Sequence, residues 1–157
     1  MKVNETRDRL LNTVANTIQK YEFPILIIIG AALLMNRLDA KWVNMLITLV
    51  LCVTAFLYVL SAFDNRDPEG YTQMDGFFRK IGGFSSAFVL VGILYTLKGF
   101  PGSKQILVAG APSLFFAVGY ILVKGRVEKF GKATVIRMAV LALLAIAAFL
   151  SKSPGEI

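Results

Sequence analysis

Five stretches of this sequence run through apolar residues without a single carboxylate among them, and that pattern leaves few folds open. They cover residues 23–38, 42–63, 81–97, 105–123 and 134–150. Crossing about 30 Å of hydrocarbon takes roughly 20 apolar residues in a helix, with a working range of about 17–25. The first stretch is the shortest, and its uninterrupted apolar core ends near Met35. Short spans are accommodated by snorkelling Lys and Arg at their ends or by local thinning of the bilayer. The sequence therefore predicts an all-α integral membrane protein with five transmembrane helices.

Composition supports the same class and removes others. The chain has 157 residues, enough for one ordinary domain. Of these, 56% are hydrophobic and 17% charged, against about 25% charged in an ordinary soluble domain. That is too little polar surface to cover a water-soluble enzyme. There is no histidine, so the commonest metal ligand and general base are missing. The single cysteine, Cys52, excludes an internal disulfide framework and multi-cysteine metal sites. No nucleophile–base pair, phosphate-cradling glycine loop or metal cluster is visible, so no catalytic, cofactor-binding or metal-binding residue is assigned.

Residues 1–22 read as an arm, 23–150 as the transmembrane domain and 151–157 as a short extracytoplasmic tail. The first ten residues mix charges and lack the apolar core of a cleaved signal peptide. Val3, Leu10, Leu11, Val14 and Ile18 recur at helical spacing, with Arg7, Asp8, Arg9 and Gln19 mostly elsewhere. This predicts an amphipathic helix on the membrane surface or docked on a partner through Leu10, Leu11 and Val14. Pro24 then falls where proline is tolerated, near the first turn of a helix.

Lys and Arg divide unequally between the connections. One side of the membrane carries Lys2, Arg7, Arg9, Lys20, Arg66, Arg79, Lys80, Lys124, Arg126, Lys129 and Lys132, with Arg137 close behind. The other carries Arg37, Lys41, Lys98, Lys104 and Lys152. The positive-inside rule places the N-terminus in the cytoplasm and the C-terminus outside the bacterial inner membrane. The net charge of +7 reads as a topology signal and an attraction to anionic lipid headgroups. Nucleic acid is not an expected partner, because the loops are too short for a basic domain.

Sliding the chain by about 62 residues lays Gly30 over Gly92, Ala55 over Ala117, Tyr58 over Tyr120 and Leu60 over Leu122. Such a repeat makes two tandem helical hairpins plus one extra helix; chance matches between apolar segments are the alternative. Ala139, Ala142 and Ala145 give the last helix a small-residue ridge, suited to close packing internally or against another subunit. Arg137 sits within a turn or so of the basic surface and is expected to snorkel there. The alternative is a buried ion pair or a lipid-headgroup contact. Thr48, Thr54, Ser85, Ser86 and Ser113 are expected to bond backbone carbonyls one turn back. Every acid falls in the arm, a loop or the tail, with Glu22 and Asp39 at the two ends of the first span, near water.

Residues 89–110 resemble the transmembrane hairpin of the GldL family, the inner-membrane motor subunit of gliding motility and type IX secretion. The likeness rests on Gly92, then Leu94-Tyr95, then the turn Phe100-Pro101-Gly102, then Leu107 and Gly110. Within the turn, proline stops the incoming helix, glycine permits the reversal and the aromatic ring anchors at the interface. The chain departs from the family where Lys and His-Trp are expected, with Thr96, Gly99 and Phe100 instead. The resemblance also implies a proton-linked glutamate in the second helix, and the matching position here is Leu114. A leucine carries no proton, so the likeness is to the scaffold of the motor without its working residue.

Together these features point to a non-catalytic integral subunit of a bacterial inner-membrane complex, with other integral subunits as partners. The resemblance places it as accessory to a proton-driven motor of the GldL/GldM or ExbB/ExbD/TonB kind. The alternative is a small-solute transporter or channel subunit, for which Pro112, Gly110 and Gly119 mark a breakable fourth span.

Overall fold

The computed structural model describes residues 9, 13, 17, 18, 20–35, 41–63 and 72–150, the backbone alone for 32–35. Among them every regular element is a helix. We label these α1 (Glu22–Met35), α2 (Lys41–Ala62), α3 (Gln73–Lys98), α4 (Ser103–Val123), α5 (Val127–Phe130) and α6 (Lys132–Leu150).

Four of them, α2, α3, α4 and α6, are long and apolar enough to cross a membrane. The fold is all-α, as the sequence predicts, but α1 has only 14 residues. At 1.5 Å per residue it is about 21 Å long, short of the hydrocarbon thickness. Residues 36–40, on which the expected first span depends, lie outside the described residues, as do Leu10, Leu11 and Val14 of the arm.

The third helix starts well before its apolar stretch, at Gln73 and not near residue 81. A capping box explains the earlier start. The Thr72 hydroxyl accepts from the Asp75 N–H, and the Asp75 carboxylate accepts from the Thr72 N–H. At the other end Gly99 adopts a left-handed φ of 66°, and Phe100 N–H donates to Tyr95 O while Gly99 N–H donates to Thr96 O. This is the paired bonding of a Schellman ending. Gly102, at φ 86°, completes the reversal into α4.

α3 is the hub of the bundle, packing on α2, α4 and α6, while α6 also packs on α4 and α1, and α1 bridges α2 and α6. Small residues permit these approaches. A Cβ at Gly83 would meet Ala62 Cβ at 2.8 Å and the Tyr58 carbonyl at 2.9 Å, so α2 and α3 touch nearly backbone to backbone there. The core between the helices is filled by Ile47, Leu51, Leu90, Leu107, Leu114, Ile121 and Leu141.

Candidate functional site

The principal polar feature inside the bundle lies where α1, α2 and α6 meet at the basic end. Glu22 opens α1, Tyr58 stands one turn before the end of α2, and Thr134 and Arg137 share one face of α6 at i, i+3 spacing. Arg137 Nη1 donates to Glu22 Oε1 at 2.6 Å. The Thr134 hydroxyl sits astride the same carboxylate, 3.0 Å from Oε1 and 3.1 Å from Oε2. The guanidinium carbon of Arg137 lies 4.4 Å from the centre of the Tyr58 ring, a cation–π contact. Glu22 is 1% exposed, Arg137 4% and Tyr58 0%.

Arg137 thus does not snorkel. It lies five residues inside the start of α6 at Lys132, about 7.5 Å along the axis, and turns inward because a carboxylate faces it across the α1–α6 contact. Glu22, expected near water at the end of a span, is enclosed. Burying either charge alone costs several kcal/mol, and their mutual attraction with added hydrogen bonds offsets that cost. The offset is incomplete in one respect. Among the described residues, Tyr58 Oη and Arg137 Nε are buried without a hydrogen-bond partner.

A second polar cluster ties α3 to the end of α4. Asp75, fully buried, accepts from the Tyr120 hydroxyl at 3.1 Å and lies 3.9 Å from Arg126 Nε. Tyr120 stacks on Phe78 at 4.1 Å between ring centres. The capping residue of one helix thereby holds the terminus of the next.

Ala142 and Ala145 are buried within the bundle and Ala139 is half-buried, so the small-residue ridge faces inward. Phe100 and Pro101 are exposed at the α3–α4 turn, where the Phe100 ring meets Tyr95 edge-on. Thr48, Thr54, Ser86, Thr96 and Ser113 each bond the carbonyl one turn back. Pro112 lines an open apolar groove of about 220 Å³ between α4 and α6, with Phe115, Ala145 and Phe149. Leu114, at the position where the resemblance implies a glutamate, is a fully buried core residue. Among the described residues, no three potential metal ligands of the His, Cys, Asp and Glu types come together.

Sequence reasoning singled out Arg137 but missed Tyr58, Thr134 and the capping cluster at Asp75. The available signal was a basic residue inside a span at the same membrane end as Glu22, an acid abutting an apolar run.

Four apolar helices of membrane-spanning length, packed in one bundle with a charge pair buried where α1 meets α2 and α6, define a multi-pass, all-α membrane protein. No family model, curated protein or solved structure matches the chain.

Proposed function

We propose that this protein is a non-catalytic integral subunit of a bacterial inner-membrane assembly. In this reading its basic end faces the cytoplasm, and α1 with the residues after it makes a fifth crossing. The observation that best supports it is the open flank of α1. Phe23, Ile27 and Ile28 are exposed, Ile27 to 71%. Among the described residues nothing lies within 4 Å of the place a Cβ on Gly30 would occupy, whereas Gly92, its partner in the 62-residue overlay, is pressed against Leu107 at 2.7 Å. A small-residue notch on an apolar helix is the surface on which a second transmembrane helix packs closely. The buried charge pair then fastens the docking helix to the bundle. The hairpin likeness to the GldL family supports a place beside a proton-driven motor of the GldL/GldM or ExbB/ExbD/TonB kind, with this chain supplying helix faces.

Purification from native membranes at endogenous level tests this. A heteromeric complex that is lost with Ile27→Asn plus Ile28→Asn is expected. Recovery only as a monomer or homo-oligomer refutes it.

A second reading, a small-solute transporter or channel subunit, draws support from the buried Glu22–Arg137 charges beside Tyr58, since ionisable groups inside a bundle often mark substrate or ion paths. Protein-dependent flux in proteoliposomes that disappears with Glu22→Gln would favour it over the subunit reading.

A further inference from the structure

The basic end of the α3–α4 hairpin is built differently from a scatter of surface lysines. Arg126 stands two residues beyond the Lys124 cap of α4 and opens α5. Its Nε points to the buried Asp75 carboxylate at 3.9 Å, and its side chain remains 26% exposed. Among the described residues no hydrogen bond engages its Nη groups. Asp75 in turn is fixed by the Thr72 cap and the Tyr120 hydroxyl. With its Nε drawn toward that carboxylate and its side chain part-exposed, the guanidinium keeps Nη donors available in the fork that suits a phosphate.

Exposed apolar and aromatic residues occur at this end of both α3 and α4. Leu122 and Val123, just before the exposed Lys124, are themselves exposed. Tyr120 stacks on Phe78, whose ring meets that of the exposed Phe77 at 5.6 Å. Lys80, Lys124, Lys129 and Lys132 are exposed at the same end. Among the described residues there, Glu128 is the exposed carboxylate, since Glu22 and Asp75 are buried and committed to partners.

We infer that Arg126 and Lys124, with Asp75 as the positioning residue and Phe77, Leu122 and Val123 beneath, bind the headgroup of an anionic phospholipid. The cations take the phosphate and the exposed apolar side chains take the acyl chains, an arrangement a soluble anion cannot use in full. The inference rests on the membrane-spanning reading and is independent of any partner subunit, so loss of a complex and loss of lipid binding are separable results.

Native mass spectrometry of the full chain in uncharged detergent, titrated with phosphatidylglycerol or phosphatidylcholine of identical acyl chains, provides the test. Phosphatidylglycerol should be retained preferentially. Arg126→Gln should weaken it about fivefold, as should Lys124→Gln, since each charge near an anionic surface contributes about that factor. Arg126→Lys should fall between Gln and wild type, and Lys41→Gln at the opposite end should change nothing. Inorganic phosphate should not displace the lipid. Equal retention of both lipids, an equal loss with Lys41→Gln, or displacement by phosphate alone would overturn the inference. If circular dichroism shows that Arg126→Gln misfolds, the exposed Lys124→Gln carries the test.

Discussion

Removing one member of the Glu22–Arg137 pair should damage the protein far more than removing both. In Arg137→Met the Glu22 carboxylate keeps, among the described residues, only the Thr134 hydroxyl, in a setting where it is almost wholly enclosed. An uncompensated buried charge costs about 3–5 kcal/mol. Glu22→Met leaves the guanidinium over the Tyr58 ring, and a desolvated cation–π contact of about 2 kcal/mol softens that loss toward the lower end. In the double variant neither charge remains, and the Thr134 hydroxyl, in the first turn of α6, loses its carboxylate acceptor, a smaller cost than an unpaired buried charge. Replacing a buried pair by apolar residues is often neutral or stabilising. The double variant is therefore expected within about 2 kcal/mol of the parent, against about 6–10 kcal/mol if the two losses were independent. Unfolding in mixed micelles, followed by circular dichroism as the denaturing detergent fraction rises, measures all four proteins. Additive losses would show that the pair is not coupled and that its closeness carries no stabilisation.

Three further expectations concern packing, capping and topology. Gly83→Ala should destabilise the bundle by about 1–3 kcal/mol through overpacking, because the added methyl meets Ala62 and the Tyr58 carbonyl. Gly30→Ala should be neutral or gain up to about 1 kcal/mol, there being open space beside it; equal effects in the two variants, read by the same unfolding assay, would contradict the packing described. Thr72→Ala should cost about 0.5–2 kcal/mol and raise amide exchange at the Asp75 N–H and its neighbours without touching the α3–α4 turn, whereas exchange unchanged at Asp75 would discount the cap. In a Cys52→Ser background, cysteines at Lys41 and Ser103 should react with an impermeant thiol reagent from outside and one at Gly131 only after the cytoplasmic face is opened; the reverse pattern would invert the orientation.

The spans were legible because lipid demands one thing of every residue that faces it. Apolar runs of helical length therefore announced α2, α3, α4 and α6, and the one-turn bonds of Thr48 and Thr54 followed from chemistry local to the chain. The start of α3 was not read, because attention to apolar residues passes over the polar signal Thr72-Gln-Met-Asp75, which fixes the helix end by hydrogen bonds. The charge cluster was half legible. Arg137 stood out as a cation inside a span, but whether it turns toward water or protein depends on what stands opposite, and that is a matter of tertiary packing. Nothing near Arg137 in sequence names Glu22. Likewise the alanine ridge was visible, while its inward aim depended on where α3 and α4 lie.

Glu22 and Arg137 are separated by 115 positions in the chain. At about 5–20 residues per second of synthesis, the carboxylate exists for roughly 6–23 s before its cation has been polymerised. During that interval α1 has no lock, and five later helices must be made and the last of them seated before the lock can close. The earliest of the described helices to leave the ribosome is in this way the last to be secured. A chain interrupted before α6 would carry an unneutralised acid beside an apolar helix, a recognisable mark of an unfinished molecule.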